Sequence, residues 1–275
     1  MANFKLTPSQ AAAYEKDGYL IVRNFISLDE LHKLQEVTFS DSNMHKHAFD
    51  LNDQSGKKTK LTLWYSPGND VYGLLTKSKR MVDAVNLLME GDSSVCHFHS
   101  KLMQKEPKVG GAWEWHQDYG YWYKNEFLFP GQMISVMIAI TDANRENGCL
   151  QVIKATHKMG RIEHGFSGEQ VGASQHYVDL VLKTKELVFV ELKAGDALFF
   201  HPNLLHRSEA NLSDNPRWSI ISVYNRAENV PYNEPSQSST IPLTAVPDEA
   251  LLEWEGGDIS EAANFLTKEE DEALK

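Results

Sequence analysis

Leu187-Val-Phe-Val-Glu-Leu192, Lys193-Ala-Gly-Asp196 and Ala197-Leu-Phe-Phe200 form the stretch that decides the fold. Two short runs of branched and aromatic residues flank a turn carrying Gly and Asp. This is the chemistry of consecutive strands joined without a helix. The same texture recurs at residues 95–104, 133–141, 149–153 and 217–224, with Glu146-Asn147-Gly148 and Ser213-Asp214-Asn215-Pro216 as further turns. Many short strands in succession predict an antiparallel barrel or double-sheet jelly roll, mainly β with flanking helices.

Before residue 90 the pattern is helical. Thr7-Pro8-Ser9-Gln10 places an N-cap, a proline at the first helical position and a glutamine three after the cap, so a helix runs to about residue 16 with Gly18 as its stop. Residues 19–25 read as a strand. Ser27-Leu-Asp-Glu30 is a second capping box, opening a helix through about residue 37. Residues 40–60, polar and carrying His45 and His47, read as a long surface loop. Met81, Val82, Val85, Leu87 and Leu88 give a rough helical period over residues 78–89. The expected layout is one domain over 1–275: a helical layer at about 7–90, a jelly-roll core at about 95–226, and a loop with an acidic tail at about 227–275. Within that last part, proline-rich 230–247 reads as a loop or lid, and 40–60 as a second lid.

The 275 residues include 12 Phe, 10 Tyr and 6 Trp, enough bulk for a core. Lys+Arg number 27 against 38 Asp+Glu, a net charge of −11, which repels phosphate backbones and anionic membranes. No nucleic-acid or membrane partner is therefore expected. Cys96 and Cys149 read as buried thiols in a reducing compartment, and the start shows no basic segment before an apolar run, so a cytoplasmic location is expected.

The chemistry concentrates at His116-Gln117-Asp118. In an extended segment residues two apart share a face, so His116 and Asp118 can grip one ion together. A third ligand is needed, and His201 and His206 are the candidates. Two histidines and a carboxylate on one face of an octahedron leave three open positions, the arrangement of non-haem Fe(II) oxygenases. Arg217, eleven residues after His206, could meet the distal carboxylate of a keto acid as a bidentate fork, with the Ser219 hydroxyl on the same face.

These motifs stand in an order that resembles the phytanoyl-CoA dioxygenase family of Fe(II)/2-oxoglutarate oxygenases, which includes ectoine hydroxylase and natural-product hydroxylases. The resemblance spans about residues 7 to 226. It rests on His116-Gln-Asp118, Glu146-Asn-Gly-Cys-Leu150, Thr156-His157-Lys158, Gly195-Asp196 before Leu198-Phe199-Phe200-His201, and His206-Arg-Ser208 through Asn211 to Arg217. It implies a double-stranded β-helix core and the iron ligands His116, Asp118 and His206, leaving His201 and His157 structural. It also implies Arg217 on the 2-oxoglutarate carboxylate, Ser208 near it, and Gln117 and Met137 lining the pocket. Fe(II), 2-oxoglutarate and O2, with ascorbate as auxiliary reductant, are the implied cofactors and co-substrates. The implied reaction hydroxylates an unactivated C–H bond of a small-molecule substrate and releases succinate and CO2. Because Asp118 is a carboxylate, no ligand position is vacated for halide. Ala155 stands where the family usually has Gly, and Lys101 where relatives often carry an uncharged residue.

The aromatic run with Tyr119, Tyr121 and Trp122 reads as a substrate wall, and an inward Lys101 as a contact for an anionic group. His97 and His99 alternate on a strand and read as core or rim histidines. Two alternatives remain: a non-catalytic metal- or ligand-binding jelly roll, and an oxygenase acting on an acyl-CoA. No basic cluster suited to an adenosine diphosphate favours the latter.

Overall fold

The computed structural model describes residues 4–125, 127–167, 169–232 and 239–267. The acidic tail's last residues, 268–275, and the middle of the proline-rich segment, 233–238, lie outside them.

The helical layer begins with α1 (Pro8–Asp17), whose capping box of Thr7 and Gln10 is formed and whose end is Gly18 at φ 82. A Cβ at Gly18 would run into the His157 ring, so glycine is required there by sterics as well as by φ. Then come β1 (Tyr19–Val22), α2 (Leu28–Ser40) on its Ser27/Glu30 capping box, α3 (Ser42–Lys46), β2 (Phe49–Asn52), β3 (Lys58–Trp64), α4 (Val71–Lys77) and α5 (Lys79–Leu88). The strand-rich part follows as β4 (Val95–Lys105), β5 (Trp113–His116), α6 (Asp118–Trp122), β6 (Met133–Ala139), β7 (Leu150–Ile153), β8 (His164–Ser167) and β9 (Gln170–Ala173). After them come α7 (Gln175–Leu182), β10 (Leu187–Val190), β11 (Ala197–Phe200), β12 (His206–Ser208), β13 (Arg217–Arg226) and α8 (Ala250–Glu253).

The strands form a seven-stranded antiparallel sheet, β1-β11-β6-β13-β4-β3-β2, a four-stranded sheet, β10-β7-β12-β5, and the β8-β9 hairpin. Alternation gives the large sheet two faces. Leu102, Ile138, Phe199 and Ile220 point to a core shared with the helices. Met103, Met137, Leu198, Phe200 and Ile221 point the other way, to a core shared with Leu150, Val152 and Val190 of the small sheet and with Cys149 just before it. The helical layer braces one sheet from outside, and the second face closes on its partner sheet.

Three expectations are corrected. Residues 40–60 are not a loop: α3, β2 and the start of β3 occupy them, with β2 at the sheet edge. Their exposed face supplies the polar texture, while Met44 and Leu51 are buried and Asp41 caps α3 from a buried position. The described part of the proline-rich segment is a strap on the helical side. Its Val246 exchanges backbone hydrogen bonds with Lys77 and Lys79, and Leu243 N–H donates to Val95. It packs on the helical core, not over the face between the sheets. Finally, two short helices, α6 and α7, interrupt the strand succession.

Ala155 sits at φ 63, the left-handed conformation that favours glycine, which explains why glycine suits that turn. No helix among the described residues is long and apolar enough to cross a membrane.

Candidate metal centre

His116 ends β5 and Asp118 opens α6, with Gln117 still extended between them (φ −111, ψ 133), so the first and third side chains share a face. β12 pairs with β5 in a register that sets His206 opposite His116. Asp118 Oδ1 lies 3.7 Å from His116 Nε2 and 3.8 Å from His206 Nε2. One ligand atom from each residue falls within 4.8 Å of the others, and all three residues are buried.

Each imidazole engages Nδ1 with a backbone carbonyl two residues earlier, His116 with Glu114 at 2.7 Å and His206 with Leu204 at 2.9 Å. Those contacts place the proton on Nδ1 and leave the Nε2 lone pair for a metal. Ser135 Oγ donates to Asp118 Oδ2 at 2.6 Å, leaving Oδ1 toward the same point. Burial pushes His116 well below the ordinary histidine value and lowers His206 as well, so both stand neutral, the form that ligates. Two neutral imidazoles and one carboxylate fit an Fe(II) ion with open positions.

At the start of β13 stands a buried cation with no anionic partner among the described residues. Arg217 is in register with Lys105 at the far end of β4. Among the described residues its guanidinium makes only a long contact to Met137 Sδ at 3.9 Å, and its Nε has no partner. Ser219, two residues on, has a buried Oγ that is also unpartnered. Burial lowers Arg217 to about 10. Orphaned buried donors are costly, so a carboxylate ligand is what this pocket end fits.

Lys105 was missed in the sequence. Fully buried, it donates to Ser208 Oγ at 2.8 Å and to the Glu209 carbonyl at 2.6 Å. Burial first, and then neighbouring Arg217, push its protonation well below the usual lysine range. The available signal was alternation: Lys101, Met103 and Lys105 fall on one face of the strand. Gly148 at φ 73 lets the 146–148 turn pass close to the Glu209 backbone.

The remaining expected residues divide. Met137 Sδ lies 3.9 Å from the Arg217 guanidinium, and Ser208 Oγ accepts from Lys105. Gln117 faces away: its amide donates to Gly160 O and Asn203 O and accepts from Ile162 N, leaving no amide hydrogen for a substrate. This corrects its expected place in the pocket lining, since the alternation that joins His116 to Asp118 turns Gln117 outward. Tyr121 lays its ring against His116, centroids 5.5 Å apart, and its hydroxyl donates to Val171 O. The Tyr119 hydroxyl donates to Phe127 O. Trp122 packs on Phe98 and His99. Lys101 lies on the inner face of β4. His201 is held by Asn203 N–H and by the His157 ring, apart from the triad. His97 has both nitrogens engaged, with Tyr65 O and Ser100 Oγ. A groove of about 660 Å³ lies on the helical side beside α5, away from the triad, among residues that include Phe4, Lys79, Arg80 and Asp248.

The phytanoyl-CoA dioxygenase family pattern matches residues 14–219. The chain belongs to that family. Among curated relatives, L-proline trans-4-hydroxylase of Streptomyces griseoviridis is 25% identical over 233 residues, covering 79% of this chain and 86% of the relative. Ectoine dioxygenase of Bordetella bronchiseptica is 23% identical over 239 residues, covering 82% and 77%. Among solved structures, EctD from S. alaskensis with bound Fe superimposes with a TM-score of 0.72 at 20% identity, covering 90% of this chain and 89% of that one. The phytanoyl-CoA dioxygenase family thus agrees with the cupin-like double-sheet architecture seen here.

Proposed function

We propose that this chain is an Fe(II)- and 2-oxoglutarate-dependent dioxygenase that hydroxylates an unactivated C–H bond of a small molecule, with release of succinate and CO2. The observation that carries this reading is the pairing of two sites across the space between the sheets, the histidine ligands on the small sheet and Arg217 on β13 of the large one. Three ligands converge on a point, and a buried, anion-less Arg217 with an orphaned Ser219 hydroxyl stands on β13 of the facing sheet. A jelly roll that only binds metal has no need of the second feature, which calls for an anionic ligand as well.

His116, Asp118 and His206 would hold the iron, with Ser135 orienting the carboxylate. Arg217 and Ser219 would bind the distal carboxylate of 2-oxoglutarate, supported by Lys105 and Ser208, with Met137 against its chain. Bound iron, with 2-oxoglutarate and dioxygen, supplies the oxidising power. The protein orients the co-substrate, keeps the ligating imidazoles neutral and excludes water. Tyr119, Tyr121 and Trp122 would form the substrate wall, the two tyrosines by their rings since their hydroxyls are tied to the backbone. The relatives' names point the same way, since proline and ectoine are small molecules. The two buried free cysteines fit a reducing cytoplasm.

The test is succinate formation with Fe(II), 2-oxoglutarate and a panel of small metabolites, together with bound iron in alanine variants of each ligand. Loss of iron and of succinate in His116→Ala, Asp118→Ala and His206→Ala is expected. Normal turnover in His206→Ala with loss in His201→Ala would replace the third ligand, and no succinate under any condition would sink the oxygenase.

A further inference from the structure

The family pattern ends at residue 219, yet a later segment returns to the large sheet. Residues 258–266 lie across α3 and the end of β3. Ile259 N–H donates to Asp41 Oδ2, and the Ile259 carbonyl accepts from Asn43. Ser42 Oγ donates to Asp258, while Glu261 meets Lys46 at 2.6 Å and His47 at 2.8 Å. The Phe265 ring stacks on His47, centroids 4.1 Å apart and planes 5° from parallel. Ile259 and Ala263 are buried in the helical core, Phe265 bridges Trp64, and Leu266 N–H donates to Leu63 O. These anchors converge on the backbone at Tyr65.

β3 pairs with β4 only as far as Trp64 with Ser100, and the next residue is held from outside the ladder. Tyr65 N–H donates to the carbonyls of Ala263 and Asn264, and Ser66 N–H to that of Ala263. The Tyr65 carbonyl meets His97 Nδ1 at 3.1 Å. Along β3, Leu61 points to the core between the sheets and Trp64 to the helical core, so alternation sets Tyr65 on the inner face. Its ring meets His99 edge to face, centroids 6.4 Å apart, and packs on the cluster that includes Phe98, Tyr119 and Trp122. Val223 is in register with both His99 and Ser135, and Ser135 holds Asp118. Tyr65 thus stands in the row of the metal centre, on its side away from Lys105 and Arg217.

Resting on the oxygenase reading, we propose that Tyr65 is a specificity-determining residue that completes the substrate wall beside Tyr119 and Trp122, and that residues 258–266 are the brace that positions it. The clamp reserves the Arg217 end of the face for 2-oxoglutarate, which leaves the substrate the part beyond the triad, where this ring lies. A tyrosine pinned at both N–H and carbonyl presents its ring already ordered, which lowers the cost of binding. Glu261 and Phe265 touch no reacting group and act through Tyr65.

The experiment compares the full wild-type chain with Tyr65→Ala, Tyr65→Phe and the double variant Glu261→Gln with Phe265→Ala. Read in each are bound iron, 2-oxoglutarate affinity, and the KM and kcat for whichever compound of the metabolite panel most raises succinate formation in wild type. Amide exchange over residues 61–70 and 118–123 is followed by mass spectrometry. Tyr65→Ala should raise that KM about tenfold, one lost aromatic contact, and keep iron and 2-oxoglutarate binding. Tyr65→Phe should restore the wild-type KM. The double variant should raise the same KM with kcat nearly kept, and speed exchange in both segments, since the ring that packs on α6 is loosened. An unchanged KM in Tyr65→Ala overturns the proposal, as does iron or 2-oxoglutarate binding that falls in step with it. Faster exchange confined to residues 61–70 with KM unmoved makes the segment framework alone and overturns it too. If no compound raises succinate formation, exchange decides: no acceleration at 118–123 in the double variant overturns the brace. No succinate at all from wild type overturns the oxygenase reading instead.

Discussion

Arg217 and Arg226 close the two ends of β13, and both are almost wholly buried, 4% and 1% exposed. Their surroundings differ completely. Arg226 donates from every nitrogen, to the carbonyls of Asn86, Met89, Glu90 and Ser93 and to Asn86 Oδ1. Those acceptors belong to the end of α5 and the turn beyond it, where a cation also meets the negative end of the helix dipole. Arg217 has no oxygen acceptor among the described residues. A buried arginine with every donor matched is part of the frame, and one with none awaits a ligand.

Replacing each arginine by methionine, an unbranched apolar side chain, breaks this comparison if it is false. Arg226→Met should show the largest effect, a loss of about 3–5 kcal/mol in stability, because five carbonyl and amide acceptors are left bare. Chemical denaturation reads it directly. Arg217→Met should hold or raise stability, since an unmatched charge is removed, yet weaken 2-oxoglutarate by about 100-fold, roughly 3 kcal/mol of lost charge-assisted bonding. Calorimetry with 2-oxoglutarate measures this. If both variants unfold alike, Arg217 is framework and the clamp is lost.

The histidines repeat the contrast. His97 has a partner on each nitrogen, whereas His116 and His206 have one on Nδ1 only. Strand context alone could not tell these apart, since all are histidines in β-rich runs. Sequence could locate the triad, because i, i+2 spacing in an extended segment fixes a shared face and the ordered motifs did the rest. The capping boxes were legible for the same reason, being local chemistry over four residues. What was illegible depended on register. Lys105 meets Arg217 only through the β4–β13 pairing, and the β2–β3 hairpin hides Leu51 under a polar outer face. The strap at 239–247 looked like a lid because prolines mark an absence of regular structure, not a location.

A smaller effect sharpens the distinction between ligand and frame. Ser135 touches no metal position but fixes Asp118 through its 2.6 Å hydrogen bond. Ser135→Ala should lower Fe(II) affinity by about 10- to 100-fold, the usual scale for a group that orients a ligand. Competition against a colorimetric chelator gives the number. An unchanged affinity would mean that backbone geometry alone holds the carboxylate.

The smallest expected change is a near absence of one. An exposed pair of histidines with values near 6.5 loses metal affinity below that pH, about tenfold per histidine per unit, because protons compete for the lone pairs. Burial lowers His116 and His206, so protons should begin to compete only at more acid pH. Metal affinity measured with zinc should therefore stay nearly flat from about pH 7.5 to 6, where an exposed site already begins to fall. Stability behaves otherwise. A histidine whose value is depressed by folding takes its proton on unfolding, so stability is full above the unfolded value of about 6.5 and falls as pH drops below it, by about 1.4 kcal/mol per unit for each such histidine. Burial holds His97 and His201 at about 3 and His164 at about 4, so these three alone should steepen the loss down to pH 4. Metal affinity that fell in step with stability between pH 7.5 and 6 would show the triad histidines to be ordinary, accessible imidazoles, and would erase their difference from a surface site.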